Sequence, residues 1–129
     1  MKAMVVDDDV LTLEIVRDRL EGRGIEVLAR SQPLGTSAAI VAERPDFVLL
    51  DLSMPGLSGT WLVSMCRANP ELKNVIVILH SSRDAKELAE LAESCGAAGA
   101  LVKTHDDRTF FRQLEQILRR VGVALPGPA

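Results

Sequence analysis

The sequence predicts a doubly wound α/β fold, a (βα)5 three-layer sandwich with a parallel five-stranded sheet between two layers of helices. Three observations carry that expectation. Short apolar runs alternate five times with segments of helical periodicity. Most of the runs are continuously apolar, as parallel strands covered on both faces require. The polar residues suited to chemistry fall just after the runs, where an open α/β sheet keeps its ligand crevice. At 129 residues the chain fits one domain, able to bury roughly two-thirds of its unfolded surface.

The elements follow in order. The strands are read at Met4–Val6, Ile25–Ala29, Phe47–Leu50, Val75–Leu79 and Ala100–Val102. The first helix carries Leu13, Val16 and Leu20 at helical spacing and stops at Gly22 and Gly24. Ala38, Val41 and Ala42 mark a second helix, ended before Pro45; Leu62, Val63 and Cys66 mark a third, closed by Asn69-Pro70. Leu88, Leu91, Ala92 and Cys95 form a fourth stripe that ends at Gly96. Phe110, Phe111, Leu114, Ile117, Leu118 and Val121 form the last and clearest one. Strand–helix–strand order at this spacing requires parallel pairing through right-handed crossovers. Residues 1–121 make the domain, and residues 122–129, rich in Gly and Pro, read as a linker or a disordered tail.

Composition excludes several functions. A net charge of −3 argues against direct nucleic-acid binding, which needs a basic surface. No apolar run approaches the ~20 residues of a membrane span, and the first residues do not read as a secretory signal. Cys66 and Cys95 make neither a disulfide framework nor a metal-ligand spacing, so a reducing, cytoplasmic compartment is expected. Both read as buried small hydrophobes.

After the first strand come Asp7, Asp8 and Asp9; after the third, Asp51; after the fourth, His80, Ser81 and Ser82; after the fifth, Lys103. Asp7, Asp8, Asp51, Ser81 and Lys103 therefore converge on one edge, while Asp9 reads as a cap of the first helix. Three carboxylates, a hydroxyl and an ammonium point to a divalent cation and a phosphoryl group. Two like charges ~4 Å apart repel by ~4 kcal/mol at an effective dielectric of 20, so the carboxylates need a cation. Mg2+, hard and oxygen-seeking, suits them. His80 and Ser81 are adjacent strand residues facing opposite ways, which excludes a hydrolase triad. His80 reads as a half-buried structural histidine and His105 as a loop residue. Trp61, early in the third helix, has two readings: partial burial against its own helix, or contact with a partner.

Four segments, VVDDD (Val5–Asp9), LLDLSMPGLSG (Leu49–Gly59), ILHSS (Ile78–Ser82) and GALVK (Gly99–Lys103), each ending a strand, give the chain a family resemblance. Over about residues 1–121 it resembles the receiver domain of two-component response regulators. The resemblance implies a flavodoxin-like sheet in the order 2-1-3-4-5. It implies that Asp51 is the phosphoacceptor, that Asp7, Asp8, Asp51 and the backbone carbonyl of Ser53 hold Mg2+, and that Ser81 is the switch hydroxyl. Lys103 would pair with Asp51 and then with the phosphoryl group. Arg83, two residues past the switch with Ser82 beside it, would modulate the phosphorylated state, as a charged lid that obstructs attack by water or, as the alternative, as a charge that stabilises the hydrolytic transition state. The lid is favoured because no positioned base is evident. The donor would be a histidine kinase or phosphotransfer protein, and the output a downstream protein target or a fused output domain. A dimer face on the fourth and fifth helices is also implied.

Two departures stand against the pattern. Thr104 replaces the proline that usually follows the lysine, so the Lys103–Thr104 bond is expected to be trans with a remodelled loop. Ala100 replaces an aromatic switch residue, so any signal passes by backbone movement or through another residue. These departures keep open a receiver-fold binding module that works without phosphorylation. Asp7-Asp8-Asp9-Val10 also loosely resembles the nucleophile motif of haloacid-dehalogenase-like phosphatases, but the chain is too short for that fold.

Overall fold

Val48, Leu49 and Leu50 have no exposed surface, which identifies the third strand as the centre of the sheet. The computed structural model describes residues 1–56 and 58–127; Leu57, inside the LLDLSMPGLSG segment, and residues 128–129 of the tail lie outside the described residues. Ten elements alternate: β1 (Lys2–Val6), α1 (Val10–Glu21), β2 (Glu26–Arg30), α2 (Thr36–Glu43), β3 (Phe47–Asp51), α3 (Gly59–Ala68), β4 (Val77–Ser81), α4 (Ala85–Cys95), β5 (Gly99–Val102) and α5 (Asp107–Arg120). All five strands are parallel, in the order β2-β1-β3-β4-β5. The architecture and the strand order are those expected.

The two-residue repeat of a strand divides the core into two layers. Ala3, Val5, Leu49, Ile78 and Leu101 pack with Leu13, Val16, Leu20, Phe110, Leu114 and Ile117 of α1 and α5. Met4, Val6, Val48, Leu50 and Leu79 pack on the other side with Ile40, Leu62, Val63, Cys66, Leu88 and Ala92 of α2, α3 and α4. Asp9 caps α1, its carboxylate accepting from the Leu11 N–H at 3.1 Å and the Thr12 hydroxyl at 2.8 Å.

Several boundaries differ from the sequence reading, each for a local reason. β4 begins at Val77, not Val75, because the Arg67 guanidinium takes the carbonyls of Lys73 and Val75 and the Val75 N–H turns back to Leu72. At its other end the strand runs on to include His80 and Ser81, which stay in register with Leu101 and Val102 of β5. Ile25 donates to the Leu20 carbonyl, so β2 starts one residue later. On α2 the buried residues are Thr36 and Ile40; Ala38 and Ala42 face solvent, since alanine marks a helical face weakly. The α5 stripe stops at Leu118, and Val121 is exposed beyond the helix end.

The tail is docked rather than free over residues 122–127. Val123 donates to the Leu118 carbonyl, and Val123 and Leu125 pack against the layer that holds α1 and α5. Arg23 fastens this segment, donating to the Pro126 carbonyl at 3.1 Å, pairing with Glu115 at 3.2 Å and lying 4.0 Å over the Phe111 ring. Two apolar side chains in a Gly- and Pro-rich tail are enough to seat it.

Gly99 lets β5 approach α5 closely: an added Cβ would lie 2.9 Å from Ile117 Cγ1 and 3.0 Å from its Cγ2. Ile117 is β-branched and buried, so it cannot swing aside. Gly99→Ala is expected to destabilise the domain by about 1–3 kcal/mol, read as a lower denaturant midpoint at unchanged slope. Ile117→Ala in the same chain should then cost less than it does beside Gly99.

Candidate functional site

Strand alternation aims the site. Asp7 follows Val5 and Lys103 follows Leu101 at the two-residue spacing, and Asp51 follows Leu49 in the same way, so all three extend the layer that carries His80. Asp7 and Asp51 are buried, 1% and 5% exposed, whereas Asp8 is exposed. Carboxylate oxygens of Asp7, Asp8 and Asp51 lie within 4.8 Å of one another. Three hard oxygen donors on one open edge are the donor set a divalent cation of the Mg2+ type takes.

Local turns fix these carboxylates. Asp7 Oδ1 accepts the Asp9 N–H at 2.9 Å, and Asp51 Oδ1 accepts the Ser53 N–H at 3.2 Å. Each is an Asx turn that fixes the carboxylate and leaves its second oxygen outside that bond. Lys103 Nζ stands 2.9 Å from Asp7 Oδ2, off the angle of a good hydrogen bond, and 3.6 Å from Asp51 Oδ1. The lysine thus bridges both carboxylates and sits nearer Asp7, where the resemblance implied a pair with Asp51. Burial pushes the Asp51 carboxyl above the usual carboxylate range, and the Asp7 charge adds to this against the Ser53 N–H and Lys103. Burial opposes the Lys103 ammonium, yet contact with Asp7 and attraction to Asp51 outweigh it and raise its pKa.

Ser81 is buried at the end of β4, its Oγ accepting the Arg83 N–H at 3.2 Å. Its carbonyl accepts the Lys103 N–H at 2.8 Å, so the ends of β4 and β5 are tied together. Ser82 and Arg83 are exposed, and the Arg83 guanidinium pairs with Glu87 at 3.4 Å, one turn into α4. The structure therefore turns Arg83 toward α4. Trp61 stands 59% exposed and lines one open pocket with the exposed Leu34. Among the described residues every peptide bond is trans, that of Lys103–Thr104 included.

His80 departs from its expectation. It is buried, 2% exposed, edge-on to Phe110, with no partner for Nε2. The sequence signal was there: a residue flanked by Leu79 and Ser81 in a strand covered on both faces.

A flavodoxin-like sheet with an acidic site and a lysine at its carboxyl edge defines the class, and comparison with known proteins agrees. The chain belongs to the response regulator receiver domain family, whose model matches residues 3–119. It is 33% identical over 121 residues to the transcriptional regulatory protein CseB of Streptomyces coelicolor, covering 94% of this chain and 50% of that protein. It is 29% identical over 122 residues to the chemotaxis protein CheY-3 of Vibrio cholerae, covering 94% of each. The solved structure of chemotaxis protein CheY4 of Vibrio cholerae superposes with a TM-score of 0.80 at 25% identity, over 91% of this chain and 98% of that one. The chain spans about half the length of the first curated relatives it matches. Receiver domains are signalling switches of two-component systems that work with histidine kinases and output domains and generally bind Mg2+ in an acidic pocket. No helix among the described residues is long and apolar enough to cross a membrane.

Burial lowers the His80 pKa from 6.5 to about 4. Between those values the unfolded chain binds a proton that the folded chain refuses, so stability falls as pH drops through this window. The loss is expected to reach on the order of 3 kcal/mol near pH 4. Denaturant midpoints measured from pH 7 to pH 4 should show a shallower slope for His80→Gln than for the natural chain.

Proposed function

We propose that the domain accepts a phosphoryl group on Asp51 from a histidine kinase or phosphotransfer protein and passes the change on through the end of β4. The observation that carries this is the Asp51 carboxylate, buried yet open at the sheet edge, with Asp7, Asp8 and Lys103 around it. An Asp51 oxygen attacks the phosphorus of a phosphohistidine. The P–N bond breaks, its electron pair stays on the imidazole, and the new P–O bond makes an acyl phosphate. Asp7, Asp8, Asp51 and the Ser53 carbonyl would hold Mg2+, which supplies positive charge against the carboxylates and the phosphoryl oxygens.

Lys103 does the chain's own part of that work. Its ammonium already faces Asp51 and leaves Asp7 only slightly to follow the charge that accumulates on the transferred group. The Ser81 hydroxyl, now accepting from Arg83, turns to donate to a phosphoryl oxygen. Ala100, opposite Leu79 in the sheet, offers no ring to rotate, so the β4–α4 loop carries the shift as backbone movement. Acidic α4 (Glu87, Glu90, Glu93) and basic α5 (Arg108, Arg112, Arg119) would complement each other across a two-fold dimer. A downstream target or a fused output domain would read the switch in the cytoplasm. A binding module that works without phosphorylation is the second reading, favoured by the closer pairing of Lys103 with Asp7 than with Asp51.

Intact-mass measurement after incubation with acetyl phosphate and Mg2+ decides between them. One added phosphoryl group is expected on the natural chain and none on Asp51→Asn, because an amide is not a usable nucleophile; no addition to the natural chain under any donor favours the binding module. The lid role of Arg83 is tested by the decay of the acyl phosphate. To cover the phosphoryl oxygens Arg83 must leave Glu87, so Arg83→Ala should hasten decay and Glu87→Gln should slow it. Unchanged decay in both returns Arg83 to its pair with Glu87.

A further inference from the structure

Thr104 occupies the place of a rigidifying proline, and its peptide is trans, so something else must hold the loop that follows Lys103. Packing from below does not do it. A cavity of about 260 Å3 lies under the loop, bordered by Ile15, Val16, His80, Lys103 and Thr104. The loop is held by polar ties instead, and they meet at Arg19.

Arg19 sits in the last turn of α1, its side chain 7% exposed. Its Nη2 donates to the Thr104 carbonyl at 2.8 Å, and its Nε donates to Asp107 Oδ1 at 2.7 Å. The guanidinium carbon lies 4.8 Å above the Phe110 ring. One planar group thus grips the residue after Lys103, the first residue of α5 and the aromatic beneath them. Its mounting is firm, because Val16 and Leu20 of the same helix are buried in the core. On the preceding side, Gln113 Oε1 accepts the Val102 N–H at 3.1 Å. Lys103 is bracketed by a glutamine on one side and an arginine on the other.

We propose that Arg19, oriented by Asp107, is a positioning residue that sets where the Lys103 ammonium stands between Asp7 and Asp51. The inference rests on the phosphoacceptor reading of Asp51 for its consequence, but not for its geometry. Arginine is required because two divergent N–H donors must reach a carbonyl and a carboxylate at once while the plane stacks on a ring; a lysine ammonium is a point charge and cannot. Backbone position translates into ammonium position, and small displacements of a charged group beside a reacting centre are costly.

The test uses the whole chain with Arg19→Gln, Arg19→Lys and the milder, surface-lying Asp107→Asn. Without Mg2+ or donor, the Lys103 ε-methylene resonances and the exchange rates of the amides at Thr104 to Asp107 are recorded. With both, the initial rate of phosphorylation by acetyl phosphate and the Mg2+ affinity are measured. Arg19→Gln and Arg19→Lys are expected to shift the Lys103 resonances, speed exchange in the loop and slow phosphorylation about tenfold, with Mg2+ binding retained. Asp107→Asn should change each in the same direction by less, and it stands in should the Arg19 variants not fold. A loosened loop with unmoved Lys103 resonances and an unchanged rate would overturn the proposal and leave Arg19 a structural tie. If the natural chain takes no phosphoryl group, the phosphoacceptor reading fails alone, and the Lys103 resonances still decide on the clamp.

Discussion

The constraint on which this structure depends is the repulsion among carboxylates gathered at one edge of the sheet. Asp7, Asp8 and Asp51 bring oxygens within 4.8 Å of one another, where like charges repel by about 4 kcal/mol per pair at an effective dielectric of 20. Two of the three are buried, so water screens them poorly. Lys103 offsets part of this from a position shared between Asp7 and Asp51, and the Asx turns at Asp7 and Asp51 add one N–H each. What remains is net negative charge, which a hard divalent cation would complement. The fold must be rigid at that edge, because the carboxylates would otherwise separate.

The rigidity comes from the layers beneath. β3 is buried along its length, and its neighbours are fixed in register, with Val6 opposite Leu50 and Asp51 opposite His80. A one-residue slip of any strand would turn its site residue toward the wrong helical layer. Core packing thereby sets the spacing of the acidic groups, and the loops only trim it. The tied ends of β4 and β5, through the Ser81 carbonyl and the Lys103 N–H, extend the same constraint to the lysine.

Strand periodicity and strand-end chemistry made the architecture and the meeting of Asp7, Asp8, Asp51 and Lys103 legible in the sequence, because both depend on short-range pattern. The cap at Asp9 was legible for the same reason. What was not legible depended on contacts between distant residues. Arg67, 29 residues from the Gly96 carbonyl it also binds, moves the start of β4. Arg23 reaches Pro126 across 103 residues to seat the tail, and Arg19 reaches Thr104 across 85. All three are arginines whose forked donors satisfy backbone carbonyls left over where elements end. Surface-looking charges in a sequence conceal this role, since composition marks them as solvated.

The same distribution of ties indicates which part of the site is free to respond. Lys103 is bracketed through Val102 and Thr104, and the carboxylates are held by their turns. Ser81, by contrast, is bonded through its hydroxyl to the backbone N–H of Arg83, in a loop whose following residues Ser82, Arg83 and Asp84 are exposed. The Arg83–Glu87 pair is solvent-exposed on both sides, so it restrains the loop by at most ~1 kcal/mol. A ligand at Asp51 shifts an equilibrium only by its difference in affinity for two states. That difference acts with most effect on the segment that costs least to move. On the proposed reading that segment is the β4–α4 loop, and Ala100, next to β4, would leave it without a gating ring. On the proposed phosphoacceptor reading the acidic edge and the Ser81 hydroxyl are complementary: the first would fix where charge is received, and the second would leave a short stretch of backbone to report it.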